Sequence, residues 1–369
     1  MAWYPALLNH SQGGDSGGNI YGAEWDGSSS TVWTRTDAAA LFGDPVPQMK
    51  NGSSWTEGSS PFDNIAPWKD IKRVTDSTAC ELVEIPKYYY KWTQDGAKLK
   101  LQISPEQQEG FLVSPAHADR GDSKGERDVV YVGRYHCATS TYKSTTSVKP
   151  AVNYTRANFR TYIHNLGSSI WQWDYAMLWT IQMLYLVEFA NWNSQACIGY
   201  GCGNNSATEN MGSTDSMTYH TGTNQTSRTT YGHTQYRYIE DLWGNVYDWC
   251  DGIYFSSANI YCIKNPSSFN DSSGGTLIGT RPTSGGWTKS WNIPSTTGFE
   301  YALYPATVDS NLDGSTYISD YCYYNSSGVV LFVGGSYVQG QYCGLFFLYG
   351  YSAASYKGAN VGSRLQKLP

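Results

Sequence analysis

Residues 239–252 read IEDLWGNVYDWCDG. Gly244 and Asn245 are turn-forming residues, with Asp241 and Asp248 on either side. A turn held by Asx hydrogen bonds accounts for both carboxylates, and Trp243 and Trp249 are expected in a core. From residue 220 onward the chain reads as short strands and long loops.

Upstream the period changes. YTRANFRTYIHNLGSS (154–169) puts Ala157, Phe159, Ile163 and Leu166 on one helical face. Thr155 is a fitting N-cap and Gly167 a stop. WDYAMLWTIQMLYLVEFANWNS (173–194) is apolar nearly all round, which predicts a buried helix. It exits into the Gly/Asn loop CIGYGCGNNSATENMGS (197–213). Further upstream, CELVEIPKYYYKW (80–92), KLKLQI (98–103) and ERDVVYVGRYHC (126–137) read as strands. The polar ATSTYKSTTSVKPA (138–151) reads as a linker. The expected division is a β-rich attachment or oligomerisation domain over 1–148 and a ligand-binding domain over 149–369.

The 369 residues suffice for a sizeable core. Only 15% are charged, while Gly (38), Tyr (31) and Trp (14) abound, so the chain is folded rather than disordered. A net charge of −6 leaves no basic footprint for nucleic acid. MAWYPALLNHSQ (1–12) has neither a basic start nor a long apolar run, so no signal peptide is expected. No stretch is apolar enough to span a bilayer, and membrane insertion is not expected. Eight cysteines lie scattered without paired CxxC spacing, which suits free buried thiols; Cys197 and Cys202 are the one close pair. His117 and His136 read as structural histidines, and HADRGDSKGERD (117–128), with its Arg-Gly-Asp triplet, as a solvated loop. DSNLDGSTYISD (309–320) has EF-hand-like acids but no terminal Glu, and reads as a polar surface loop.

The 239–252 stretch resembles the central signature of the formylglycine-generating-enzyme branch of the C-type lectin fold. Two preceding helices, GGSY (334–337) and the closing GANVGSRL (358–365) match that family in order, over about residues 150–369. The resemblance implies an α+β fold, with two helices packed on short, loop-rich antiparallel sheets after a smaller β-rich domain. Oxidase activity is not implied. Gln339 stands where the first of two required cysteines is expected, and only Cys343 lies near the second. No catalytic residue is therefore assigned.

The C-terminal stretch VGGSYVQGQYCGLFFLYGYSAASYKGANVGSRLQKLP (333–369) places aromatics among Gly and Ser, as binding surfaces do. Within the lectin-type fold this resembles the variable proteins of diversity-generating retroelements. In those, a reverse transcriptase copies a repeat with randomised adenines, turning Asn codons mainly into Tyr, Ser, Asp, Gly, Phe, Val, Ala or Cys. The resemblance implies a variable region of about 333–365, with Ser336, Tyr337, Val338, Tyr342, Cys343, Phe347, Tyr349, Tyr351, Ala354, Ser355 and Tyr356 as ligand-binding positions. YGAEWDGSSSTVWTRTDAAALF (21–42) resembles a segment of phage and prophage tail proteins. A bacterial surface receptor, protein or glycan, is the implied partner, and a homotrimer the assembly expected by analogy with tail fibres. Synthesis is expected in the bacterial cytoplasm, with display on the virion tail. A fixed-specificity carbohydrate-binding lectin is the first alternative, and a formylglycine-type oxidase, disfavoured by the missing cysteine pair, the second.

Two further expectations come from the same resemblance. No cofactor is required, but relatives place Ca²⁺ on the W-G-N-V turn, and the matching ligands are Asp241, Asp248 and the carbonyls of Gly244 and Val246. The frame between variable positions is expected to be rigid. Leu345, Phe346 and Leu348 belong in the core, Arg364 is expected partly buried on carbonyls or a carboxylate, and Gly335 is expected where no Cβ fits.

Overall fold

The computed structural model describes residues 19–369. The segment on which the signal-peptide expectation rests lies outside the described residues. Among the described residues, strands make up 34% and helices 11%, in five sheets and three short helices. The expected α+β fold, with two helices layered on sheets, is overturned by this balance. The helical segments form, but they do not make a layer. Helix α1 (Arg156–His164) has only nine residues and covers one strand, Ile170–Gln172. Helix α2 (Tyr175–Phe189) is buried along its whole length and is enclosed by the sheets.

Local signals fix both helices. Thr155 caps α1 by accepting from the Asn158 N–H, and Asn158 returns the bond. Asp174 caps α2 by accepting from the Met177 N–H at 2.8 Å. Ala190, with φ of 49°, ends it. Its largely apolar surface meets Tyr21–Trp25 and Lys98–Ser104 of an antiparallel five-stranded sheet.

Residue 148 is not where the sheets divide. One five-stranded sheet runs Ile170–Gln172, Leu365–Lys367, Val129–Gly133, Cys80–Pro86 and Lys72–Asp76. Here Val132 pairs with Gln366, so the end of the chain closes on its first half. A second sheet joins Gln48–Asn51 in parallel to Gly222–Thr223. The largest hydrophobic cluster likewise draws Trp25, Trp68 and Leu101 together with Trp179, Trp243 and Phe346.

A seven-stranded sheet carries the candidate site. Its order is Tyr304–Asp309, Gly286–Asn292, Tyr321–Tyr324, Leu348–Ser352, Val330–Val333, Tyr247–Cys250 and Val361–Ser363. Trp249 anchors its inner part, donating its indole N–H to the Tyr154 carbonyl at 3.1 Å. Among the described residues, no helix is long and apolar enough to cross a membrane.

Candidate functional site: an aromatic strip on the seven-stranded sheet

Strand Leu348–Ser352 alternates. Leu348, Gly350 and Ser352 are buried, Tyr349 is half-buried and Tyr351 is 51% exposed. Strand Tyr321–Tyr324 alternates in phase with it, with Tyr321 and Tyr323 outward and Cys322 and Tyr324 buried. The parallel register sets Tyr323 beside Tyr349. The period of two thus lines tyrosines up across neighbouring strands.

The rings form a continuous path. Trp287 stacks on Tyr342 at 5.0 Å, and Tyr342 meets Tyr321 edge-on at 5.2 Å. Tyr321 lies 4.4 Å from Tyr323, and Tyr323 lies 5.0 Å from Tyr349. Tyr349 stacks on Phe332 at 4.3 Å, and Phe332 reaches Tyr356 at 6.2 Å. The separations lie in or just below the range where aromatic pairs gain beyond simple burial. The inner rings hold the outer ones, so Tyr342, Tyr351 and Tyr356 are exposed on a stiff base.

The expected ligand-binding positions divide three ways. Val338, Tyr342, Tyr351, Ser355 and Tyr356 are exposed, and Tyr337, Tyr349 and Ala354 are half-buried. Ser336, Cys343 and Phe347 are buried, which corrects their assignment to a binding face. The cause is the glycine pair before them. Gly334 and Gly335 have φ of +85° and +84°, and a Cβ on Gly335 would come within 2.5 Å of Cys343 Sγ. Only glycine fits this turn. It folds Ser336 and Cys343 against each other, with the thiol donating to the Ser336 carbonyl at 3.4 Å. Phe347 follows a tight turn onto Gly344 and sits between Tyr247 and Tyr323, beneath the strip.

The frame residues are buried, Arg364 more fully than expected. Leu345, Phe346 and Leu348 are buried, and Arg364 is completely so. The Arg364 guanidinium donates to the carbonyls of Gly133 and Arg134 at 2.8 and 2.9 Å. It also donates to the carbonyls of Glu240 and Asp241 at 2.8 and 3.0 Å, and to Asp248 Oδ2 at 3.3 Å.

The turn does not fit Ca²⁺. Both carboxylates are buried and already engaged. Asp248 faces Arg364 and, at 3.0 Å, His136 Nδ1. Asp241 Oδ2 meets His233 Nδ1 at 2.6 Å, and Oδ1 accepts from the Thr234 N–H. Burial disfavours charge on Asp241, but His233 outweighs it and holds the carboxyl below its usual range. Burial likewise opposes a charge on His233, yet Asp241 and Glu209 raise its basicity well above the ordinary value. The oxygens a hard cation needs are satisfied by nitrogen donors.

Other candidate groups are structural. His117 is buried between Ser114 Oγ and the Ile85 carbonyl, and burial lowers its pKa to about 4. Arg120 of the Arg-Gly-Asp triplet is buried on Asp174 at 2.6 Å, so the triplet is not a presented loop motif. Asp320 is buried and accepts from the Phe346 N–H at 2.6 Å, away from any calcium-type loop geometry. All eight cysteines are free thiols, Cys197 and Cys202 included.

Tyr321 and Tyr323 escaped sequence reasoning because they precede the expected variable region. The signal was the alternation in YCYY (321–324), with Cys322 supplying the buried position. In comparisons with known proteins, the chain matches no family model and no curated protein.

Proposed function

We propose that the chain is a phage or prophage receptor-binding protein whose C-terminal face is diversified by a retroelement. The observation that supports this reading is the aromatic strip, exposed at Val338, Tyr342, Tyr351, Ser355 and Tyr356 over a frame of buried residues. Tyrosine offers a large rigid contact area at small entropic cost, with a hydroxyl for hydrogen bonding. A bacterial surface receptor would engage such a face through a few hot spots. The exposed positions tolerate exchange because little packs over them, whereas the frame has no spare volume. Burial raises the pKa of the Cys343 thiol well above its ordinary value, which disfavours a reactive thiolate there.

Sequencing the same locus from sister isolates tests the proposal. Substitutions are expected at Tyr337, Val338, Tyr342, Tyr349, Tyr351, Ala354, Ser355 and Tyr356, while Gly335, Phe346 and Arg364 stay constant. Uniform sequences, or changes spread evenly through the frame, would defeat it. In the purified protein, Tyr351→Ala should lower binding to receptor-bearing cells at least tenfold, with the melting temperature unchanged. Unaltered binding in both Tyr351→Ala and Tyr342→Ala variants would remove the strip from the interface.

A further inference from the structure

Beside the 243–246 turn, three side chains of different chemistry converge from two segments of the chain. Ligand atoms of Cys202, Glu209 and His233 all lie within 4.8 Å of one another. We propose that Cys202, Glu209 and His233 form a zinc site, with the fourth position open to water or to an outside ligand.

The donor set selects the metal. A thiolate, an imidazole and one carboxylate suit Zn²⁺ in tetrahedral coordination, whereas Ca²⁺ and Mg²⁺ require oxygen shells. Three protein ligands leave the fourth position free.

The donors are also oriented. Asp241 engages His233 Nδ1 at 2.6 Å, which leaves Nε2 to face Glu209 at 2.9 Å. A carboxylate on the far ring nitrogen is the usual support of a zinc-bound histidine. Asn205 Nδ2 donates to Cys202 Sγ at 3.0 Å and to Glu209 Oε1 at 2.7 Å, holding these two side chains together. The turn clamps the backbone of both ligands. Asn245 N–H donates to the Cys202 carbonyl at 2.8 Å, and Asn245 Oδ1 accepts from the Glu209 N–H at 2.9 Å.

Access and charge are compatible with uptake. Cys202 and His233 are buried, but the Glu209 side chain is 48% exposed and marks the entry. Zn²⁺ would take up the Cys202 thiolate and the His233 Nε2 lone pair, so uptake is expected to release protons.

Cobalt titration of the purified chain tests the site, because a Co²⁺–thiolate bond gives a charge-transfer band in the near ultraviolet. One equivalent of Co²⁺ should produce that band, and one equivalent of Zn²⁺ should abolish it. Cys202→Ser should remove the band. Glu209→Gln, at an exposed side chain that leaves the fold intact by circular dichroism, should weaken zinc binding at least tenfold. This second variant decides the matter even if Cys202→Ser does not fold. The proposal is overturned by absence of the band, by its persistence in Cys202→Ser, or by wild-type zinc affinity in Glu209→Gln.

Discussion

Replacing Arg364 by Ala isolates the energetics of the frame. Its guanidinium is fully buried and serves five acceptors: four backbone carbonyls and the Asp248 carboxylate. Those acceptors belong to the end of strand Val129–Gly133, to the end of strand Ile239–Glu240 and to strand Tyr247–Cys250. Removing one partner of a buried ion pair costs about 3–5 kcal/mol, because the remaining charge stays buried without compensation. His136 still faces Asp248, which moderates the loss, while the four carbonyls lose a charged donor. The expected cost is therefore about 4 kcal/mol, against a few tenths for Tyr356→Ala on the exposed strip. Arg364→Lys keeps the charge without the planar fork and should fall between them. In urea melts followed by tryptophan fluorescence, Arg364→Ala should lower the midpoint by on the order of 1 M. Equal losses for Arg364→Ala and Tyr356→Ala would refute the separation of frame from face.

Two pH-dependent effects follow from the half-buried Asp63 and the buried Asp320. Burial raises the pKa of Asp63, but bonds from His220 and Tyr219 outweigh it and bring it down to about 2. Its contribution is therefore present above the ordinary pKa and lost as pH falls. The stability advantage of wild type over Asp63→Asn, about 1 kcal/mol after screening, should shrink between about pH 4 and pH 2. A difference independent of pH in urea melts would contradict this. For Asp320, burial drives the pKa well above the carboxylate range, opposed only by the Phe346 N–H. A raised pKa gives stability that is complete below the ordinary value and declines as pH rises. Asp320→Asn should gain on wild type as pH rises from about 4 to 7. No relative gain in that interval would mean that the carboxyl titrates normally.

Sequence was informative wherever a residue's own conformation or chemistry restricts its neighbours. The apolar girth of Tyr175–Phe189 foretold burial, and the result holds along the whole helix. Gly335 needs a backbone state that side chains rarely adopt, and Arg364 needs many acceptors, so both announced constrained places. Long-range pairings left no local trace. Nothing near Val132 indicates that Gln366 will lie beside it, so the shared sheets across residue 148 were not legible. The same holds for Cys202, Glu209 and His233, whose spacing follows no metal motif: Asn245 of the 243–246 turn holds the loop with Cys202 and Glu209, and Asp241 orients His233. Ser336, Cys343 and Phe347 looked like their exposed neighbours because composition alone does not tell a small or aromatic residue under the strip from one on it. What separates them is the inward turn at Gly334–Gly335 and the tight turn at Gly344, and both are frame residues. The frame therefore determines which interleaved positions reach solvent. If the face is diversified, the substitutions that survive must spare the residues that set this geometry, whatever the template offers at the buried positions.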